Sequence, residues 1–307
     1  IPAHVADLPI EDWLAFLDQP VFARLKELDV TGGEPFLRED LSVLLEGVSA
    51  LKTTRLRELR SVALTTNGFL TETVLSGTER ISRALERAGL DLVLVLAMDG
   101  IGELHSRIRN VSNGWQRLSD TIDGLVELRR RRGNIVLGLK TTIVPLNVNE
   151  LEGIAHFAAE REFFTIISPC IITGGRYANL ESRKSLEFSP ADVEKMIRFY
   201  ESPAFRWSYH RRALLDLLKK GTLSKPCSAG SNYFFVRSTG DIYPCPLLPE
   251  SLGNFRDGDM EDLVRSRQAR RFRRRVGAFE QCRSCTEPGL ERYALPFEGF
   301  SYLRLLF

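Results

Sequence analysis

The chain contains no long hydrophobic run. None of its apolar stretches approaches the roughly eighteen residues that a helix needs to cross a bilayer, although 43% of its 307 residues are hydrophobic. The first residues, IPAHVADLPIEDW, carry neither the basic stretch nor the apolar stretch of a secretion signal. The sequence therefore predicts a cytoplasmic globular protein without a membrane partner.

An excess of charge of one sign is also absent. The 42 Lys and Arg residues nearly balance the 40 Asp and Glu residues, and the net charge is +2, so the overall charge predicts no nucleic-acid partner. Arginine is concentrated in two runs, residues 129–132 and 265–275. The first run is explained by favourable charge at the C-terminal end of a predicted helix. The second is either a solvated helix face or a docking site for an acidic peptide.

Cysteine is scarce and unevenly placed. Four of the five cysteines lie in the last 81 residues, which is poor usage for disulfides. These four, separated by 17, 36 and 2 residues, are Cys227, Cys245, Cys282 and Cys285. A Cys-x-x-Cys places two thiolates on one turn, so the pattern predicts a metal site and leaves zinc and an iron–sulfur cluster open. The fifth, Cys170, is interpreted as a small buried hydrophobe, with a role near the reaction as the alternative.

Helical and strand patterns alternate along the first two-thirds of the chain. Helices are predicted from Ile10 onward and over residues 41–48, 72–89, 114–131 and 148–161. Strands are predicted over residues 28–33, 61–68, 91–100, 134–145 and 163–170. Five strands that alternate with helices predict an α/β fold with a parallel sheet, either open or rolled into a full or partial barrel.

The pattern changes after this region. Helices are predicted over residues 190–200, with a capping box between Ser189 and Asp192, and near 210–220. From Lys225 onward, a predicted hairpin indicates a second, smaller unit. In this hairpin the strands YFFV and IYPC are joined by a turn that contains Ser-Thr-Gly-Asp. A single helix around residues 258–275 and the pair CRSC complete this unit.

The ends of the predicted strands carry motifs in a definite order. TGGEP ends the first strand, TTNG the second, and MDG the third, followed by HSRIRN. In this order they resemble the radical S-adenosylmethionine (radical SAM) superfamily. The segment from Cys227 through Gly240, Cys245 and LGN to CRSC resembles the SPASM/Twitch extension of that superfamily. The resemblance implies a partial (β/α)6 TIM-like barrel over residues 1–220 and a small cysteine-rich α+β domain over residues 221–307.

The resemblance also implies a binding site for S-adenosylmethionine. Gly32, Gly33 and Glu34 would meet the amino group of its methionyl part, because glycines permit close approach and a carboxylate accepts from an ammonium. The residues implied to lie elsewhere around this cofactor are Thr66, Asn67, Asp99 and Arg109, the last pairing with the cofactor carboxylate. Taken singly, the glycines could mark a tight turn, and Glu34 with Pro35 could start the next helix. Asn67-Gly68 could likewise be a common turn pair and Arg109 a surface charge. No catalytic residue is predicted.

The chain departs from the family pattern at three places. Ala97 stands where many relatives have serine. The CxxxCxxC motif that holds the radical SAM cluster does not occur in the sequence. We expect it on a preceding segment that also supplies a first strand; the alternative is a member of the family that has lost this cluster. Full SPASM domains have seven cysteines, whereas this chain has four in that region, so a Twitch-type domain with one auxiliary 4Fe–4S cluster is expected.

By resemblance, the chain is expected to cleave S-adenosylmethionine reductively to methionine and a 5′-deoxyadenosyl radical, which abstracts hydrogen from a substrate. A peptide is the expected substrate, and a small molecule such as an aminoglycoside precursor is the alternative. An electron donor such as flavodoxin or ferredoxin is implied as a partner. From a different class, a non-radical scaffold protein with a four-cysteine zinc site remains the competing hypothesis.

Overall fold

The computed structural model describes residues 8–174, 177–205, 208–221 and 227–287. Residues 288–307 of the predicted C-terminal domain therefore lie outside the described residues. None of the described helices is both long enough and apolar enough to traverse a bilayer.

The larger part of the chain alternates strands and helices, as predicted. Its helices are α1 (Ile10–Leu17), α2 (Leu41–Leu51), α3 (Thr71–Arg87), α4 (Glu103–Arg109), α5 (Gly114–Arg131) and α6 (Leu151–Glu160). Its strands are β1 (Glu27–Val30), β2 (Ser61–Thr66), β3 (Asp91–Ala97), β4 (Ile135–Ile143) and β5 (Phe164–Pro169).

The five strands form one sheet in the order β1-β2-β3-β4-β5. The pairs β1–β2, β2–β3 and β3–β4 are parallel, with Val30 opposite Leu64 and Leu96 opposite Leu139. Sequential order with parallel pairing follows from right-handed crossovers through the intervening helices. The predicted α/β class with a parallel sheet is confirmed.

The hydrophobic core lies between this sheet and its helices. Leu92, Leu94 and Leu96 of β3 are fully buried, which fits the near-continuous apolar run of a strand that is covered on both faces. Helix α3 contacts both α2 and α5, and its apolar residues Val74, Ile81 and Leu85 are fully buried. This core fixes the strand ends on which the candidate site depends.

The C-terminal part consists of short elements. Its helices are α7 (Arg183–Leu186), α8 (Pro190–Glu201), α9 (Ser208–Lys220), α10 (Met260–Arg265) and α11 (Arg267–Arg273), and its strands are β6 (Phe235–Val236), β7 (Asp241–Tyr243) and β8 (Gly253–Asn254). The predicted capping box at Ser189 and Asp192 is present, and β6, β7 and β8 form a three-stranded antiparallel sheet.

The predicted single helix over residues 258–275 is wrong. Ser266 interrupts it with an extended backbone (φ −57°, ψ 160°), and its hydroxyl accepts a hydrogen bond from the backbone N–H of Ala269. Serine favours this N-cap geometry because its side chain satisfies an otherwise unpaired N–H group at the helix start. Two short helices, α10 and α11, result.

The described residues fall into two compact units. One contains residues 8–141 and 153–167, and the other contains residues 142–152 and the described part of 168–287. The first unit carries the glycine and acidic strand-end motifs, and the second carries all five cysteines. The division of the chain near residue 220 into two functional domains stays a prediction.

Candidate cofactor and cluster sites

The segment after β1 has a bare backbone that borders open space. A Cβ atom added at Gly32 or Gly33 would meet no heavy atom within 4 Å. Neither glycine has a positive φ, so the backbone conformation does not require glycine at these positions. Close packing does not require it either. The space beside both residues instead leaves room for a ligand to approach the backbone.

Glu34 joins this segment to the end of β2. Its carboxylate accepts hydrogen bonds from the Thr66 hydroxyl (2.8 Å) and the Asn67 backbone N–H (2.7 Å). It also accepts from the N–H of Phe36 (3.2 Å), and so caps the short 3-10 helix Pro35–Leu37. Three predicted site residues, Glu34, Thr66 and Asn67, are thus brought into direct contact. Both interpretations of Glu34, as a helix start and as a site residue, are compatible with this geometry.

Asp99 and Arg109 form an ion pair at the end of β3. Arg109 Nη2 lies 2.7 Å from Asp99 Oδ2, and the Asp99 side chain is only 6% exposed. Arg109 is the last residue of α4, which ends because Asn110 adopts a left-handed conformation (φ 52°, ψ 44°). The Nε atom of Arg109 is buried and has no hydrogen-bond partner in the described part of the chain. The side chain as a whole is 30% exposed, so part of the guanidinium group is accessible to an anionic ligand.

His105 supports this ion pair, although the sequence analysis assigned it no role. It is fully buried, and its Nδ1 accepts a hydrogen bond from the backbone N–H of Asp99 (3.2 Å). Burial, and secondarily the nearby Arg109 charge, lowers the pKa of His105 to about 4. The ring is therefore neutral at pH 7, with its proton on Nε2. Phe69 and Trp115 flank it edge-on, with centroid distances of 5.8 and 6.4 Å.

The four C-terminal cysteines meet in one hydrophobic cluster. Cys245 and Cys285 are buried members of this cluster, and Cys227 and Cys282 pack against it. All four are free thiols. Burial raises the pKa of Cys245 to about 12, with smaller contributions from the other three cysteines.

The cysteine arrangement differs from a preformed site for a single ion. Among the residues that the structure describes, no three His, Cys, Asp or Glu side chains are grouped closely enough to hold one metal ion. The donor set of four thiols nevertheless fits an iron–sulfur cluster, because such clusters are held by cysteine thiolates.

Contacts near the cysteine cluster involve residues that the sequence analysis did not single out. The Thr286 hydroxyl donates to the carbonyl of Pro169 (2.8 Å), and the Tyr177 hydroxyl donates to Glu287 Oε2 (3.0 Å). Cys170 is half-buried rather than fully buried, and burial raises the pKa of its thiol to about 11. A thiol with this pKa is protonated at pH 7, which makes it a poor nucleophile.

Comparison with known proteins places these features in a family. The family model described as the radical SAM superfamily matches residues 3–158, and that of the SPASM iron–sulfur cluster-binding domain matches residues 227–286. The chain belongs to the radical SAM superfamily and carries a SPASM domain. Its cofactors are accordingly S-adenosylmethionine and iron–sulfur clusters.

Two curated proteins are similar over most of the chain. An AdoMet-dependent heme synthase of Methanosarcina barkeri is 25% identical over 285 residues, which cover 86% of this chain and 74% of the relative. The sporulation killing factor maturation protein SkfB of Bacillus subtilis is 22% identical over 260 residues, covering 84% of this chain and 57% of SkfB. The chain thus spans little more than half the length of SkfB.

Solved structures of another protein, anSMEcpe, share the fold. The form with bound AdoMet has a TM-score of 0.60 at 19% identity, covering 97% of this chain and 84% of that one. The form with bound AdoMet and Cp18Cys peptide has a TM-score of 0.55 at 18% identity, with coverage of 91% and 84%.

Proposed function

We propose that this chain is a radical SAM enzyme that modifies a peptide. The observation that carries the proposal is its similarity to SkfB, a maturation protein, over 84% of the chain. The shared fold with a protein solved with a bound peptide supports the same substrate class. A cytoplasmic location and a reducing partner such as flavodoxin or ferredoxin belong to this proposal.

The residues at the ends of β1, β2 and β3 would hold S-adenosylmethionine. Gly32 and Gly33 leave space beside their backbone. Glu34 already accepts three hydrogen bonds, and since a carboxylate offers about four acceptor positions, one remains for an ammonium group. Arg109 would bind the cofactor carboxylate through the exposed part of its guanidinium group. Asp99 and His105 hold this arginine and the backbone beside it in place.

Cys227, Cys245, Cys282 and Cys285 would hold one auxiliary 4Fe–4S cluster. Cys245 and Cys285 are buried in the hydrophobic cluster, and Cys227 and Cys282 are half-buried against it. Together with a reduced iron–sulfur cluster, S-adenosylmethionine supplies a 5′-deoxyadenosyl radical. The part of residues 1–220 that binds this cofactor and the part of residues 221–307 that holds the auxiliary cluster would then have separate tasks.

A second candidate function is the same chemistry on a small molecule. The similarity to a heme synthase, which extends over 86% of this chain, favours it. The two candidates differ in the substrate that increases cofactor cleavage, so a direct comparison of substrates separates them.

The proposal is tested on protein expressed from its complete reading frame and purified without oxygen. Iron, sulfide and zinc are measured, and 5′-deoxyadenosine is quantified after addition of dithionite, S-adenosylmethionine and either peptides encoded near the gene or tetrapyrroles. We expect a coloured iron–sulfur protein whose cofactor cleavage is stimulated by a peptide, which gains a mass change. Stimulation by a tetrapyrrole alone would favour the second function. A colourless protein with stoichiometric zinc and no cleavage would favour the zinc scaffold instead.

A further inference from the structure

Five arginines of the second arginine run form an exposed surface that has no ionic partner among the described residues. We call this the arginine surface: the exposed side chains of α11 and the turn after it, namely Arg267, Arg270, Arg271, Arg274 and Arg275. No salt bridge involves any of these five side chains in the described part of the chain, whereas Arg265 just before them pairs with Glu261. The arginine surface therefore concentrates positive charge that the described structure leaves unneutralised.

The first arginine run, residues 129–132, differs from the arginine surface because acidic side chains lie next to most of its arginines. Arg129 pairs with Glu162, with 3.7 Å between Nη2 and Oε2, and Arg132 pairs with Glu86 at 2.9 Å. Arg130 pairs with Glu127 one turn earlier on α5. Three of the four arginines of this run are thus paired with neighbouring acids, as expected for charges that stabilise a helix end. The arginine surface has no such pairs among the described residues.

The arginine surface lies on the outer side of a helix whose inner side enters the cysteine cluster. Ala269 and Phe272 of α11 are buried. Phe272 stacks on Phe279 at 5.2 Å, and both belong to the same cluster as Cys245 and Cys285. Because an α-helix with its side chains is about 10–12 Å thick, a protein bound to the arginine surface is separated from the thiols by about one helix.

The surface also has a concave part. Arg271 and Arg275 line a cavity of about 280 Å³, and the guanidinium carbon of Arg275 lies 4.5 Å from the centroid of Phe279. Glu250 is the acidic residue in the lining. A shallow basic depression with an aromatic floor can receive a carboxylate side chain from a partner and order it between guanidinium groups.

We infer that the arginine surface docks an acidic one-electron carrier protein of the flavodoxin or ferredoxin type. The inference rests on the proposed function, which requires an electron donor. Charge complementarity favours an acidic partner, and the position one helix away from the cysteine cluster favours a redox protein over a leader peptide. The carrier would lose one electron to the auxiliary cluster that Cys227, Cys245, Cys282 and Cys285 would hold, and this cluster would pass the electron on for the reductive cleavage of S-adenosylmethionine.

Equilibrium binding of oxidised flavodoxin to the reconstituted protein tests this docking. The variant is Arg271→Glu/Arg274→Glu, because both side chains are exposed and neither side chain has a described hydrogen bond. Its control is Arg130→Glu/Arg131→Glu, an equal charge change at the exposed end of α5. We expect the dissociation constant to rise about tenfold or more in the first variant and by less than about twofold in the control. We also expect wild-type binding to weaken as NaCl increases from about 50 to about 300 mM.

A comparison of reductants separates this inference from the proposed function. With dithionite, both double variants are expected to form 5′-deoxyadenosine at the wild-type rate, whereas with reduced flavodoxin only the arginine-surface variant is slow. Equal flavodoxin binding by both variants would overturn the docking inference. Loss of binding of an acidic leader peptide, with flavodoxin binding unchanged, would also overturn it and assign the surface to the peptide. Absence of product with dithionite in the wild type would contradict the proposed function itself.

Discussion

Arg109 Nη2 lies 2.7 Å from Asp99 Oδ2, and the carboxylate of this pair is almost completely buried. The two residues are ten positions apart in the sequence. Asp99 precedes α4, and Arg109 is the last residue of that helix. His105, on the same helix, accepts a hydrogen bond from the backbone of Asp99. The end of β3 is therefore held by one short helix through both a side chain and the main chain.

Removal of the arginine charge is expected to destabilise the fold. Arg109→Gln leaves the buried Asp99 carboxylate without its cation, at a cost of about 1–3 kcal/mol after allowing for the partial exposure of Arg109. Arg83→Gln, which breaks the exposed ion pair with Glu79 on α3, should cost about 0.5 kcal/mol or less. Urea unfolding measures both variants. Equal losses would mean that the Asp99–Arg109 pair acts as an ordinary surface pair.

Protonation of His105 is expected to make stability depend on pH. Its pKa is about 4 in the folded protein and about 6.5 in an unfolded chain. Between these values the unfolded chain binds more protons, so the free energy of unfolding falls as the pH is lowered from about 6.5 to about 4. The slope reaches at most about 1.4 kcal/mol per pH unit.

The variant His105→Asn retains an acceptor near the Nδ1 position but does not titrate. We expect it to be less stable than the wild type at pH 7, because it leaves a cavity, and to show a flatter pH profile in this window. His156→Asn, at an exposed position of α6, is the control and should retain the wild-type profile. Thermal unfolding between about pH 4 and pH 7 measures the difference. An unchanged slope in His105→Asn would assign the pH dependence to other groups.

Two glycine substitutions should separate a ligand site from a packing site. In Gly32→Ala the new methyl group meets no atom within 4 Å, so stability should change by less than about 0.5 kcal/mol. Affinity for S-adenosylmethionine should fall about tenfold, because the methyl group occupies the approach to the backbone. In Gly138→Ala the new atom would lie 2.3 Å from the Phe164 ring, and overpacking should cost about 1–3 kcal/mol. Unchanged affinity in Gly32→Ala would remove this glycine from the binding site.

Glu34→Gln tests the carboxylate without changing its shape. The amide offers one oxygen, whereas Thr66 and Asn67 donate to two different carboxylate oxygens, so one donor must lose its acceptor at a cost of about 1–3 kcal/mol. Cofactor affinity should fall as well, because the negative charge that attracts an ammonium is lost. Thr66→Val removes one donor to Glu34 and the acceptor of the Gly68 backbone N–H but keeps the negative charge, so it should weaken cofactor binding less. Calorimetric titration with S-adenosylmethionine measures the cofactor affinity of both variants. A larger loss of affinity in Thr66→Val than in Glu34→Gln would assign the main role to Thr66.

Loss of one clustered cysteine should abolish cluster assembly. Cys245→Ser replaces a proposed ligand that lies in the hydrophobic cluster, and we expect reconstituted protein to lose the iron and visible absorbance of the auxiliary centre. Cys170→Ser lies outside this group and should retain both. Iron and sulfide content per chain decides the result, and full iron retention in Cys245→Ser would exclude this residue as a ligand.

Local patterns predicted most of the strands and helices, because apolar periodicity records which faces are buried. They did not predict the break at Ser266, since an arginine-rich run with helical periodicity continues across a residue whose capping role depends on its backbone conformation. His105 was also missed, because nothing local distinguishes a buried histidine from an exposed one. Two of the three partners of Glu34, Thr66 and Asn67, lie more than thirty residues away, and only the parallel pairing of β1 with β2 brings them to it.

The three hydrogen bonds to Glu34 have a consequence for how a ligand would arrive. A carboxylate that is already fixed by a hydroxyl and two backbone N–H groups loses little rotational freedom when a cation reaches it. The receiving group is therefore pre-organised, and less of the interaction energy is consumed in ordering the protein. Discrimination at this position would then depend on the shape of the incoming molecule, because the acceptor cannot turn to follow a poorly placed one.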